Sequence, residues 1–161
     1  MIHLPQGRLE DIWLKRAHRG KMDRVEQAEL VSGKGLVGNV DQSRRRQVTL
    51  LDREVWQQVT GTLGASIDPS ARRANLLVSG LSLARTRGRI LRIGDTRLAI
   101  GGELTPCNVM DEVLPGLQAR LKPDWRGGVF AQVLDGGAIR VGQSIEWDVE
   151  LDLFSALVPA S

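Results

Sequence analysis

Tyrosine is absent from this 161-residue chain, phenylalanine occurs twice and cysteine once. Each scarcity excludes something. A single thiol forms no internal disulfide, so nothing ties the chain to an oxidising compartment. One cysteine with two distant histidines, His3 and His18, supplies no zinc-ligand cluster. His18 lies in a basic run, "KRAHRGK", with no relay pattern, so a Cys–His hydrolase has little support. Aromatic residues make up 4% of the chain, which leaves few stacking platforms for nucleic-acid bases. No apolar run approaches the roughly 20 residues a membrane-spanning helix needs. The opening "MIHLPQGRLEDIW" carries Glu10 and Asp11 early and holds no apolar core of signal-peptide length. Cytoplasmic residence without a membrane is the expectation. Repeats, low-complexity tracts, linkers, a Walker phosphate loop and a G-x-S-x-G elbow are also missing.

What is present has the composition of an ordinary globular domain, 42% hydrophobic and 25% charged, at a length that fits one domain over residues 1–161. The net charge of +3 (22 basic, 19 acidic residues) permits an anionic ligand without demanding nucleic acid. Nucleic-acid binding is the weakest of the function classes. Eighteen glycines favour many turns over long helices.

Short alternating or β-branched segments recur between turn signals. "DIWLKR", "RVEQAEL", "RQVTLL" and "ANLLVS" read as strands. "RILRI" and "TRLAI" flank Gly94-Asp95, a two-residue hairpin signature. "GVFAQVL" and "AIRV" flank Asp135-Gly136-Gly137 and predict a second hairpin, and "SIEWDVEL" a final strand. Two helical regions interrupt the series. "DREVWQQVTGTLG" has Asp52 as cap and Val55, Trp56 and Val59 on one face. "PCNVMDEVLPGLQARL" is broken at Pro115. The fold class these predict is mainly β: a closed or nearly closed antiparallel barrel with a few short peripheral helices. Trp13, Trp56, Trp125 and Trp147 are expected to be packing groups, with Trp125 tethering the loop "KPDWRGG".

"GKGLVG", residues 33–38, is a literal G-x-G-x-x-G. A dinucleotide site needs a helix directly after it, but the polar "NVDQSRRRQ" follows. The motif reads as a glycine-rich loop between strands. Arg44, Arg45 and Arg46 come next, and Arg72-Arg73 precede another strand. The runs are either solvated surface or, converging on one barrel mouth, a phosphate holder.

Cys107 follows Pro106 in "GGELTPCNVMDE". With Thr105 as N-cap and Pro106 at the first helical position, Cys107 falls at the second, where the helix dipole stabilises a thiolate. An inert packed thiol is the other reading of the same spacing.

Several segments together resemble the MOSC family, the domain at the C-terminus of molybdenum-cofactor sulfurases. They are "GKGLVGN" with "RRRQVTLLDRE", then "RRANLLVSGLSL", "GRILRIGDTRLAIGGELTPCNVMDE" and "RGGVFAQVLDGGAIRVGQSIEW", over about residues 25–150. The resemblance implies a compact barrel like the β-barrel domain of pyruvate kinase. It implies binding of a molybdenum cofactor (molybdopterin), with Arg46, Arg72, Arg73, Asn75, Gly38 and Asn39 as cofactor-binding candidates. Cys107 would be molybdenum ligand or persulfide carrier, acting in sulfur transfer or in reduction of N-hydroxylated compounds. A non-catalytic cofactor or sulfur carrier is the alternative. "GNVDQ" departs from the acidic-basic-histidine continuation common after the family's glycine loop. No pyridoxal-phosphate domain and no electron-donor module is visible, so the implied partners are a cysteine desulfurase or an electron-donor protein.

Overall fold

The computed structural model describes residues 6–40 and 44–148. In chain order the strands and helices are β1 (Gln6–Lys15), β2 (Met22–Val25), β3 (Gln27–Val31), β4 (Gly35–Leu36), β5 (Val48–Asp52), α1 (Arg53–Thr62), β6 (Leu76–Ser79), β7 (Ile90–Ile93), β8 (Thr96–Glu103), α2 (Val109–Val113), α3 (Leu117–Leu121), β9 (Val129–Asp135), β10 (Gly137–Arg140) and β11 (Ser144–Trp147).

The sheet runs β11-β7-β8-β9-β5-β6-β1 and closes on itself where β1 pairs antiparallel with β11, giving a barrel of seven strands. Closure leaves the barrel without free edges. β2 pairs with β1 outside the ring, and β3, β4 and β10 form a separate three-stranded sheet. Along β8 burial alternates strictly, as period-2 patterning requires of a wall with one face on the core. The Gly94-Asp95 hairpin forms between β7 and β8, with Ile93 opposite Thr96 and Gly94 at φ 57°.

Two apolar clusters share the strand walls. Leu50, Leu76, Leu91, Leu98, Ile100 and Val129 fill the barrel interior. Leu51 and Leu77, each one residue further along, face outward onto a second cluster with Trp13, Trp56, Val59, Met110, Leu117 and Leu121. β5 and β6 are thus apolar on both faces, which is why "TLL" and "NLLV" read as continuous runs. These two strands are also the parallel pair, joined through α1 and a 3₁₀ turn at Pro69–Arg72. The all-antiparallel expectation fails here because the crossover carries a helix that must cover the outer face. Asp52 caps α1, its carboxylate accepting from Val55 N at 3.2 Å. Trp13, Trp56 and Trp147 are buried, and Trp125 packs partly buried against the main core.

Three local expectations are corrected. "RVEQAEL" is two strands, since the chain bends at Glu26 and enters a different sheet. Asp135-Gly136-Gly137 does not fold β10 back onto β9; β10 pairs with β3. Gly136 presses so close to β3 that a Cβ would lie 2.5 Å from Leu30 O, which diverts the strand. The second helical region starts at Val109, later than predicted, and divides at Pro115-Gly116 into α2 and α3. The predicted strand beyond Asp148 lies outside the described residues. No helix among the described residues is long and apolar enough to cross a membrane.

Candidate functional site

The C-terminal end of β8 and the N-terminal end of β9 lie side by side, and they build the site. Leu104 N donates to Gly128 O at 2.8 Å, so the chain after β8 stays tied to the Gly127-Gly128 pair before β9. Arg72 locks this junction. Its Nε donates to Gly127 O at 2.9 Å and its Nη2 to Leu104 O at 2.7 Å. A Cβ on Gly127 would lie 2.6 Å from Leu104 O and 3.2 Å from Arg72 Nη2, so only glycine admits the guanidinium here. Pro106, beside the same glycine, is buried, and Cys107 emerges next with its side chain exposed.

Cys107 is not in the first turn of a helix. Asn108 holds the N-cap position of α2, without a side-chain capping bond, and Cys107 precedes it. The Cys107 carbonyl accepts from Met110 N at 3.0 Å, so the residue contributes a carbonyl to the turn and leaves its thiol outside. The thiol's setting comes from side chains. Burial holds the Arg72 guanidinium below its ordinary range, the charge of Cys107 raises it, and Arg46 lowers it. Arg72 is therefore within charge–charge reach of both Cys107 and Arg46, residues scattered along the sequence. Arg73 follows in the left-handed region at φ 64°, and its Nη2 is buried with no hydrogen-bond partner among the described residues.

Asn75 is placed differently. Its Oδ1 accepts from Thr49 N and Thr49 Oγ1, both at 3.1 Å. Its Nδ2 donates to Trp13 O and to Asn39 Oδ1, also at 3.1 Å. Asn39 accepts from Lys15 N at 2.7 Å and donates to Val40 O at 2.8 Å. The two amides tie β1, β5 and the glycine loop together. Gly38, at φ 86°, lines with Asn39 a cavity of about 340 Å³ along the "GKGLVG" loop, separate from the one below.

The second cavity, about 450 Å³, is lined by Arg44, Arg45, Arg46 and Phe130. The guanidinium carbons of Arg45 and Arg46 lie 5.8 and 5.3 Å from the Phe130 ring centroid. Phe130 pairs across from Gly102, and a Cβ on Gly101 would lie 2.6 Å from the ring. Sequence reasoning missed Phe130. The available signal was a glycine pair inside a strand, which marks close approach by a bulky neighbour. Arg87 extends the rim, 5.9 Å from the Trp125 ring. Among the described residues no group of three or more His, Cys, Asp or Glu is arranged for a metal ion. The arrangement offers an open thiol beside fixed positive charge, suited to hold an oxyanion and present a soft nucleophile or ligand.

Comparison with known proteins agrees with this architecture. The profile of the MOSC domain matches residues 17–146. The YuaD protein from Bacillus subtilis superposes with a TM-score of 0.76 at 19% identity, over 88% of this chain and 95% of that one. YiiM from Geobacillus stearothermophilus gives 0.69 at 16% identity, over 88% and 74%. YiiM from Escherichia coli gives 0.64 at 17%, over 87% and 69%. No curated protein sequence matches the chain significantly. With the family profile covering most of its length and a closed seven-stranded barrel to go with it, this chain belongs to the MOSC domain family.

Proposed function

We propose that the chain binds a molybdenum cofactor, an anionic pterin carrying a phosphate, at the barrel mouth, and that Cys107 is the thiolate that meets the metal. One observation carries the reading: the only thiol is exposed and within charge–charge reach of Arg72, and Arg72 of Arg46. The residues fit such a group. Arg73 Nη2 is a buried donor without a partner among the described residues, a costly state that a phosphate oxygen would relieve. Guanidinium groups match phosphate in forked geometry. An accessible thiolate is a competent metal ligand.

When bound, the cofactor would supply two-electron redox chemistry. One reaction this permits is reduction of an N-hydroxylated compound to its N–H parent and water, with two electrons from an electron-donor protein and two protons from solvent. The chain's own residues have separate tasks. Arg72 spends Nε and Nη2 on the Gly127 and Leu104 carbonyls, so it orients the Cys107 loop and lends its charge. Arg73 would hold the cofactor's phosphate. Asn39 and Asn75 keep the wall behind them in register. Metal analysis of protein made in a cofactor-competent host tests the reading. About one molybdenum per chain is expected, lost in Cys107→Ser; no molybdenum under any loading condition overturns it.

The exposure of Cys107 also favours a second reading, a sulfur carrier fed by a cysteine desulfurase. Mass spectrometry after incubation with a desulfurase would then find one added sulfur on Cys107 and none on Cys107→Ser. A pure cofactor chaperone would keep pterin binding in that variant.

A further inference from the structure

Three consecutive arginines ordinarily spread into solvent, because like charges repel and long side chains lose rotamer freedom when held. Arg44, Arg45 and Arg46 instead converge on one cavity with Phe130. Two of their guanidinium groups share a single ring, at 5.8 and 5.3 Å from its centroid. The backbone beneath them is pinned. Arg44 O accepts from Gln47 Nε2 and from Gln132 Nε2, each at 3.0 Å. Gln47 is buried, its N donating to Ala131 O at 3.1 Å and its Oε1 accepting from Val133 N at 2.8 Å. Phe130 is held in turn against Gly101 and Gly102.

A cation–π contact at an exposed site contributes only about 0.5–1 kcal/mol. Arg44 and Arg45 bring two exposed guanidinium groups to this cavity beside Arg46, a geometry that suits an oxyanion held by forked hydrogen bonds. This shelf is also an outer tier. Arg72 is buried at the junction and Arg73 Nη2 is buried, whereas Arg44, Arg45 and Arg46 are exposed. Arg46 links the tiers through its charge on Arg72. Arg87 continues the rim: a Cβ on Gly102 would lie 3.3 Å from its Nη2 and 3.1 Å from Phe130 Cζ.

We infer that the Arg44–Arg46 shelf over Phe130 is an oxyanion subsite for the substrate, so that the compound reaching Cys107 carries a carboxylate or phosphate monoester beside its reacting group. This rests on the reading of the Cys107 mouth as the reaction centre. The buried Arg73 donor takes the cofactor's phosphate, and the open shelf takes the anion that arrives and leaves with each turnover.

The test uses the full chain and an Arg44→Gln/Arg45→Gln double variant. Cofactor-free protein is titrated calorimetrically with inorganic phosphate. Loaded protein is assayed with two N-hydroxylated amidines of similar size, one neutral and one bearing a carboxylate. Phosphate affinity is expected to fall about tenfold or more in the variant. KM for the carboxylate-bearing compound is expected to rise about as much, with the neutral compound within about twofold and molybdenum content unchanged. The inference is overturned by absence of phosphate binding to the unaltered chain at millimolar concentration, by equal effects on both compounds, or by loss of molybdenum from the variant. If the unaltered chain takes up no molybdenum, the proposed function fails by itself. The phosphate titration then still decides whether the shelf is an oxyanion site.

Discussion

Replacing Asp52 by asparagine should make the protein more stable at neutral pH, although Asp52 is a helix cap. The residue is 8% exposed, at the junction of β5 and α1. Burial raises its pKa from an ordinary 3.8 to about 6, helped by the neighbouring Glu54 carboxylate and opposed by the hydrogen bonds from Val55 N and Glu54 N. A carboxyl whose pKa is higher folded than unfolded binds more protons in the native state across that interval. Its stabilising contribution is therefore complete below about pH 4 and is lost as pH rises through about 6. Each pKa unit corresponds to about 1.4 kcal/mol, so the span from 3.8 to about 6 is worth about 3 kcal/mol at most. That is a sizeable part of the roughly 5–15 kcal/mol that holds an ordinary domain folded. Asparagine caps helices as well as aspartate, so Asp52→Asn keeps the bond from Val55 N while removing the charge. Urea denaturation at intervals from pH 4 to pH 8 reads the effect. The original protein should lose stability between about pH 4 and 6 relative to the variant, and the variant should lead by about 1–3 kcal/mol at pH 7. Parallel stability–pH curves for the two proteins would refute the reasoning. So would an original protein more stable than the variant at pH 7, since the carboxylate would then be favourably held when ionised.

Arg72→Met should cost about 2–4 kcal/mol in urea denaturation, because it strands the Leu104 and Gly127 carbonyls that the guanidinium joins. Arg72→Lys should recover only part, since one ammonium cannot reproduce the forked contact. Gly101→Ala should cost about 1–3 kcal/mol, since the new methyl falls 2.6 Å from the Phe130 ring. Combined with Phe130→Leu its cost should be clearly less than the two single effects added, and strict additivity would show that ring and glycine are not in contact. Cys107→Ser should leave thermal stability within about 0.5 kcal/mol, as expected for an exposed side chain outside any helix. A larger loss would mark the thiol as a packing group.

Features set by neighbours in sequence were legible without coordinates. Alternation along Thr96–Glu103, the Gly94-Asp95 turn, the Asp52 cap and the break at Pro115-Gly116 each depend on a few adjacent residues, and each appears as expected. The closed barrel followed from the density of such strands and turns. The helix starts later than the sequence predicts because Thr105 and Pro106 carry local signals for a cap and a first turn, while the Leu104–Gly128 bond ties this segment to the glycine pair before β9 and Asn108 takes the N-cap position. Asn75 was chosen for its motif position; the structure spends its amide on Thr49, Trp13 and Asn39.

By itself, then, the amino-acid order determined most of the strand segments, the Gly94-Asp95 turn and the Asp52 cap, and that one thiol and two arginine runs exist to be used. Only tertiary structure decided that β1 closes on β11, that β5 and β6 run parallel, and that β10 joins β3. It also decided that Arg72 feels the charges of both Arg46 and Cys107 and that Phe130 draws Arg45 and Arg46 over its ring. The reason is distance along the chain. Turns and caps are settled by forces acting over a few residues, whereas pairing partners and convergent side chains depend on which of many compatible closures buries the most apolar surface.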